Sequence, residues 1–204
     1  MRSLFLINIQ NNVETVISLI SIVIATVGSY LIARYNLKKY GLLFLISSVV
    51  GTLVCYFFVT VGFYSFPFRL FPSLFKFPFF AILTVFSFYV LIGVRFSPTK
   101  WAYKIPFYWT IINIGIFIES ILETKTNLIK YQWAWDFWDS YTAWWLFFLL
   151  FEVIGGKIVP PESRLPIPDE AFRYGKWAWF VFHAVMLSAA IGVGINLGSM
   201  LPKQ

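Results

Sequence analysis

The sequence contains few charged residues. Asp, Glu, Lys and Arg make up 12% of its 204 residues, whereas they make up about 25% of a typical soluble domain. Hydrophobic residues make up 59%, and the mean hydropathy is +0.76. A water-soluble domain of this size cannot bury so much apolar surface, so lipid must solvate much of the chain. The composition therefore indicates an integral membrane protein.

Cysteine and histidine are also scarce, with one residue of each, Cys55 and His183. A single cysteine excludes an intrachain disulfide and a cysteine-built zinc site, and a single histidine excludes a site with several histidine ligands. The sequence contains no P-loop, no GxSxG, no HExxH and no dinucleotide fingerprint. It therefore indicates no cofactor, and it leaves open whether the protein is an enzyme.

Long apolar runs predict an all-α fold, a polytopic bundle of six membrane-spanning helices in a single domain over residues 1–204. A helix of about 20 apolar residues crosses the hydrocarbon core of a bilayer. The predicted spans are residues 13–33, 41–63, 74–94, 101–122, 141–154 and 177–201. The fifth run is short. It could begin in the aromatic stretch before it, or it could be re-entrant, which leaves five spans as the alternative.

The basic residues predict an orientation, because cytoplasmic loops carry an excess of Lys and Arg. With six spans, ten basic residues fall on one side: Arg34, Lys38, Lys39, Arg95, Lys100, Lys104, Lys157, Arg164, Arg173 and Lys176. Six fall on the other side: Arg2, Arg69, Lys76, Lys125, Lys130 and Lys203. We therefore expect both termini outside a bacterial cytoplasmic membrane. The net charge of +7 then reflects topology, and no nucleic-acid partner is expected.

Local patterns predict three further features. Asn11 and Glu14 have the spacing of an N-cap and its capping partner at the start of the first helix. In the same run small residues recur every four positions, which favours close approach of a neighbouring helix: Ser21, Ala25, Ser29 and Ala33. The prolines of residues 64–78 exclude a regular helix there, and we expect Arg69 and Lys76 to face lipid phosphates.

Acidic residues near the ends of the apolar runs form the first candidate site. Glu119 and Glu123 lie four residues apart and share one face of the fourth span, and Asp136 and Asp139 are predicted on the same outer side. Four carboxylates there could bind a divalent cation or a cationic ligand, or perform acid–base catalysis. Alternatively, Glu123 and both aspartates are solvated interface residues. Glu119 has apolar neighbours, which favours a functional role.

Aromatic residues crowd the segment next to these acids. Residues 131–145 are predicted to form an aromatic belt at the outer mouth of the bundle. Trp133 and Trp138 in this belt are candidates for contacting an apolar or cationic ligand.

A second candidate site lies on the predicted inner side. Glu152 is close to the end of the fifth span, and His183 is about two turns into the sixth. If these spans form a hairpin around the proline-rich residues 158–170, both side chains lie at a similar depth. The pair could relay a proton, or it could be a structural hydrogen bond between two helices. Glu119, Glu152 and His183 are thus the catalytic candidates.

Four segments carry a resemblance to known proteins. YSFPFRLFP, KIPFYW, LIKYQWAWDFWDSY and GKWAWFVFH together resemble an uncharacterised family of small multi-pass membrane proteins from spore-forming bacteria. The resemblance implies an integral membrane protein, with no assigned activity and no catalytic residue. LPIPDEAF is similar in outline to the proline–acid motif of small membrane-embedded carotenoid cyclase subunits.

Two functional hypotheses follow. In the first, the protein binds or moves a small or lipophilic ligand, or it assembles with a membrane-protein partner or with a second copy of itself in the lipid bilayer. In the second, it is a membrane-embedded enzyme that acts on a lipid or an isoprenoid, with Glu119 or Glu152 as the general acid.

Overall fold

The computed structural model of the chain is mostly helical. It describes residues 8–9, 12–133, 135–173, 175, 180, 182–185 and 187–188.

The chain divides into two compact units, Met1–Pro166 and Ile167–Gln204. The first unit contains five long helices: α1 Val13–Ala33, α2 Leu37–Val61, α3 Phe79–Phe96, α4 Trp101–Lys125 and α5 Phe137–Ile158. It also contains two short strands, β1 Tyr64–Ser65 and β2 Lys130–Tyr131, and a 3-10 turn at Pro161–Ser163. In the second unit, Asp169–Phe172 form a 3-10 turn.

Each of the five helices found in the described residues is long and apolar enough to cross a membrane. The helical fold class is therefore confirmed, and the helices indicate a membrane protein. The first span has the predicted bounds, and the fifth runs from Phe137 to Ile158, so it is not short. The predicted sixth span, 177–201, lies largely outside the described residues and stays a prediction.

The helices place apolar residues on the outside of the bundle and small polar residues inside it. Leu45 on α2 and Leu146 on α5 are 61% and 66% exposed, whereas Ser47 and Ser87 are fully buried. Such a surface is favourable only in an apolar solvent, and small residues inside let the helix backbones approach. On α1, the stripe of small residues is buried as predicted at three positions: Ala25, Ser29 and Ala33.

One end of the first unit is closed by the segment that follows α5. The Tyr40 hydroxyl donates to the carbonyl of Ser163 at 2.9 Å, and the amide of Leu165 donates to the carbonyl of Arg95 at 2.9 Å. These contacts hold the proline-rich segment over the α1–α2 and α3–α4 connections. We call this the basic end, because it carries most basic residues of the unit: Arg34, Lys38, Lys39, Arg95, Lys100, Lys104, Lys157 and Arg164.

The opposite end joins the start of α1 to the two long connections. Strands β1 and β2 pair antiparallel, with Tyr64 opposite Tyr131, and the amide of Phe68 donates to the carbonyl of Asn127 at 2.8 Å. We call it the acidic end, because it carries the following acids: Glu14, Glu119, Glu123, Asp136 and Asp139. The connection over residues 62–78 contains no helix, as its prolines predict. The third span therefore begins at Phe79, and its predicted start at residue 74 is wrong.

The capping of α1 differs from expectation. The N-cap is Asn12, whose side chain accepts from the amide of Thr15 at 2.9 Å. Glu14 instead accepts from the amide of Asn127 at 3.2 Å, so it ties α1 to the second connection. Arg69 donates to the carbonyl of Phe66 at 2.7 Å, so its guanidinium stabilises the connection over residues 62–78. The orientation of Arg69 and Lys76 toward lipid phosphates stays a prediction.

Helix α3 contains a wide π-helical turn at Ile82–Phe86. The Ser48 hydroxyl on α2 donates to the carbonyl of Leu83 at 3.1 Å, which satisfies one backbone group of the turn. Turns of this kind are frequent at functional sites, because they displace side chains from the regular helical pattern. Here the turn borders the cavity described next.

Candidate functional site

An apolar cavity of about 270 Å³ lies among all five long helices of the first unit. Apolar and aromatic side chains form most of its wall, and residues of the π-helical turn contribute to it. Among the lining residues that the structure describes, Glu119 is the only charged one. An engineered apolar cavity of about 150 Å³ is large enough to bind benzene. The cavity therefore has room for a small apolar molecule next to a carboxylate.

Hydrogen bonds from side chains hold both oxygens of Glu119. Oε1 accepts from the Tyr131 hydroxyl at 2.8 Å and from the Ser140 hydroxyl, and Oε2 accepts from the Trp144 indole at 2.8 Å. The Tyr64 hydroxyl lies 2.5 Å from Ser140 Oγ. Because the Ser140 proton is directed to Glu119, Tyr64 is the donor in that contact. We call these five residues the Glu119 cluster.

The elements around the cluster position each donor. Ser140 and Trp144 lie four residues apart on α5, so they share the face that meets α4. Tyr131 lies on β2, where its pairing with β1 brings Tyr64 alongside. One turn before the carboxylate, Gly115 leaves space for the indole, because a Cβ there would lie only 2.8 Å from a ring carbon of Trp144.

No positive charge compensates the carboxylate within the described part of the chain. The three groups that donate to it are neutral, and no lysine, arginine or histidine described in the structure forms a salt bridge with it. Burial, followed by the charge of Glu119, raises the pKa of both the Tyr64 and the Tyr131 phenols above the usual value. Both phenols therefore keep their protons at neutral pH and act as donors.

The other predicted outer acids do not join Glu119. Asp136 caps α5 by accepting from the amides of Trp138 and Asp139, at 2.7 and 3.2 Å, and Asp139 accepts from the amide of Asp136 at 2.9 Å. These two aspartates thus form a capping box. Over the described ranges, no group of three or more His, Cys, Asp or Glu side chains could hold a metal ion. The four predicted carboxylates, which include Glu123, are therefore not assembled into one site.

The predicted aromatic candidates also lie away from the cavity. Trp133 is 76% exposed, and Trp138 packs edge-on against Phe137 with ring centroids 5.2 Å apart. Neither is among the lining residues of the cavity, whereas Trp144 is. Sequence analysis missed Trp144 as a site residue. The sequence does carry a signal for it. Ser140 and Trp144 are four residues apart on one helix, and Gly115 and Glu119 are four residues apart on another, so each pair shares one helix face.

The predicted inner acid, Glu152, lies in a separate buried network. It is 3% exposed and accepts from the ammonium of Lys104 and from the Tyr108 hydroxyl, the latter at 2.5 Å. The guanidinium of Arg164 lies 3.5 Å from the same carboxylate and donates to the carbonyl of Val159 at 3.0 Å. The network therefore joins the proline-rich segment to α4 and α5.

His183 lies in the second unit. Its imidazole packs against Phe182, with ring centroids 5.4 Å apart. The predicted pairing of His183 with Glu152 stays a prediction. Sequence analysis did not anticipate that Lys104, which is 8% exposed, neutralises Glu152.

Comparisons of the chain with protein-family models, with curated proteins and with solved structures give no match. The class of the protein therefore rests on its own fold: five apolar helices, each long enough to span a bilayer, indicate a helical membrane protein. Its most specific chemical feature, within the described residues, is the carboxylate of Glu119 in the lining of an apolar cavity.

Proposed function

We propose that the protein binds a small lipophilic ligand in the cavity of the first unit, with Glu119 contacting the polar end of the ligand. One observation carries this proposal. Among the described residues, the apolar cavity of about 270 Å³ is bordered by one carboxylate, and the groups that donate to it are neutral. An ionisable group within a membrane span is costly, and such groups mark ligand or ion sites in membrane proteins.

Comparison with Glu152 supports a functional role for Glu119. Two cations and a tyrosine surround Glu152, so its charge is neutralised. A structural role, the joining of helices, is therefore enough to explain the buried carboxylate. At Glu119 the described groups that donate to the carboxylate are two hydroxyls and an indole, all neutral. Of the two intramembrane acids, Glu119 is therefore the one whose charge has no ion-pair partner among the described residues.

We also propose an orientation, with the basic end in the cytoplasm of a bacterium and the acidic end outside. Eight described basic residues lie at the basic end, against four at the acidic end: Arg69, Lys76, Lys125 and Lys130. The positive-inside rule then places the N-terminus outside. With the predicted sixth span, the C-terminus is outside as well. The cavity then lies in the outer half of the membrane.

The alternative function, an enzyme that acts on a lipid or an isoprenoid, uses the same carboxylate as general acid. It is favoured by aromatic rings of the cavity wall, such as Phe86 and Trp144, since they can stabilise a cationic intermediate. The two functions differ in turnover. The enzyme changes the lipid profile of cells that overexpress it, and that change disappears in Glu119→Gln.

Two glycines on α2 provide a matched test of ligand binding. Gly51 lines the cavity, and a Cβ there would lie in ordinary contact with Phe86 and Phe147, at 3.6 and 3.8 Å, so an added side chain occupies space at the cavity wall. Gly41, on the same helix, has nothing within 4 Å of its Cβ position. Gly51→Leu therefore fills the cavity, and Gly41→Leu is its control.

The measurement is ligand-detected NMR with hexan-1-ol and the protein in nanodiscs of zwitterionic lipid, with empty nanodiscs as the blank. We expect saturable binding to the wild type and to Gly41→Leu, and loss of that binding in Gly51→Leu. Binding that Gly51→Leu leaves unchanged, or no binding beyond the blank, contradicts the proposal.

A further inference from the structure

We infer that the ligand of this cavity is a protonated amine with an apolar body. The inference rests on the proposed function and specifies the chemistry of the ligand. It follows from the charge at Glu119, from the hydrogen-bonding capacity that its carboxylate retains, and from the aromatic rings beside it.

The charge of the site is the first argument. Within the described residues, Glu119 forms no salt bridge, and its hydrogen-bond donors are hydroxyls and an indole. Glu119 is half-buried, and a charge that faces an apolar cavity is more stable when it is paired. A cationic group on the ligand supplies the missing partner, whereas an anionic lipophile is repelled.

The remaining capacity of the carboxylate is the second argument. An ionised carboxylate has about four lone-pair positions that can accept hydrogen bonds. Among the described residues, Oε1 accepts from Tyr131 and Ser140, whereas Oε2 accepts from Trp144 alone. One position on Oε2 is therefore open to an N–H donor. Hydrogen bonds between two charged groups are about twice as strong as those between neutral ones, so a protonated amine fits this position better than an alcohol.

The aromatic wall is the third argument. Trp144 contacts Phe86 and Tyr89, with ring centroids 5.3 and 5.6 Å away, and all three rings border the cavity. The Trp144 indole directs its N–H edge to Glu119 and stacks with Phe86 and Phe148. These rings therefore supply an apolar aromatic wall directly beside the carboxylate. The apolar body of the ligand then occupies the rest of the cavity.

The test compares two probes of equal chain length, hexylamine and hexan-1-ol. Hexylamine carries a positive charge at neutral pH, as a lysine side chain does. Isothermal titration calorimetry uses the full chain in zwitterionic nanodiscs, with the heat from empty nanodiscs subtracted. We expect the wild type to bind hexylamine roughly 10- to 100-fold more tightly than hexan-1-ol, the factor that a hydrogen bond to a charged group provides.

Two variants on α4 locate the origin of this preference. Glu119→Gln removes the charge at the cavity, so we expect hexylamine to lose its advantage while hexan-1-ol still binds. Glu123→Gln makes the same change one turn later, outside the cavity lining, and we expect it to keep the full preference. Retention of the preference in Glu119→Gln contradicts the inference.

The outcomes separate this inference from the proposed function. If the wild type binds both probes equally and Gly51→Leu blocks both, the cavity binds ligands but the inference is wrong. If neither probe binds, the proposed function itself fails. The wild-type comparison decides the inference even if Glu119→Gln does not fold.

Discussion

The indole nitrogen of Trp144 lies 2.8 Å from Oε2 of Glu119, and this contact joins α5 to α4 at the wall of the cavity. The indole directs its N–H edge to the carboxylate, while its ring stacks with Phe86 and Phe148. The contact depends on Gly115, because a side chain at that position would overlap the indole ring. The geometry at Glu119 is therefore sensitive to a change that removes no atom of the cluster.

We first predict the effect of adding a methyl group at Gly115. In Gly115→Ala the new Cβ would lie 2.8 Å from the Trp144 ring, so the indole must move and the protein loses about 1–3 kcal/mol of stability. Thermal unfolding in detergent measures the change. The control Gly41→Ala has nothing within 4 Å of its Cβ, and better helix propensity should stabilise it by about 0.5–1 kcal/mol. Equal melting temperatures for the two variants contradict the proposed packing.

The second prediction concerns the buried ion pair at the basic end. Glu152→Gln leaves the ammonium of Lys104 buried without its negative partner, and we expect a loss of about 3–5 kcal/mol. Replacing the three charged residues together, with Glu152→Leu, Lys104→Met and Arg164→Met, should restore part of that stability, because no buried charge is then left unpaired. Glu162→Gln, at an exposed acid of the same end, is the control and should be close to neutral. A Glu152→Gln protein as stable as the control is evidence against the network.

The third prediction is a loss of stability at alkaline pH. In the folded protein the pKa values of the Tyr64 and Tyr131 phenols are raised, whereas in the unfolded chain both titrate near about 10. The two phenols therefore contribute fully to the free energy of unfolding below pH ~10. This contribution is lost at higher pH, because the unfolded chain releases these protons first. Melting temperatures of the wild type should fall more steeply above pH ~10 than those of Tyr131→Phe. Parallel pH profiles of the two proteins contradict this expectation.

The fourth prediction tests the orientation. In a Cys55→Ala background, Trp133→Cys introduces a thiol at the acidic end, and Lys39→Cys introduces one at the basic end. Both positions are exposed in the structure. A membrane-impermeant maleimide added to intact cells should label the protein with Trp133→Cys and should label Lys39→Cys only after lysis. The reverse pattern means that the proposed orientation is inverted.

The positions of the helices could largely be predicted from the sequence. The first span was predicted with its exact bounds, because one apolar run and its flanking polar residues define it. The starts of α2 and α5 were predicted four residues too late, at 41 and 141 instead of Leu37 and Phe137. Each of these helices starts with residues that are less apolar than its centre, so hydropathy alone places the boundary inside the helix. Asn36 and Asp136 cap the two helices, and capping residues mark the true starts.

The candidate site could be predicted only in part. Glu119 was identified as an acid among apolar neighbours, which is a local property of the sequence. Its donors could not be identified, because Tyr131 and Trp144 reach it through the pairing of strands and the contact of helices. Glu152 and His183 were paired by their predicted depth in the membrane. That argument omitted Lys104, whose contact with Glu152 depends on the rotation of α4 about its axis.

The most direct test of ligand binding at the cavity is photoaffinity labelling with a neutral alkyl diazirine, with the protein in nanodiscs and the adducts mapped by mass spectrometry. We predict adducts on the segments of α2 and α5 that line the cavity, around Cys55 and Trp144, and we predict that excess hexylamine suppresses them. Adducts only at outward-facing positions such as Leu45 and Leu146, with no effect of hexylamine, contradict a ligand site at Glu119.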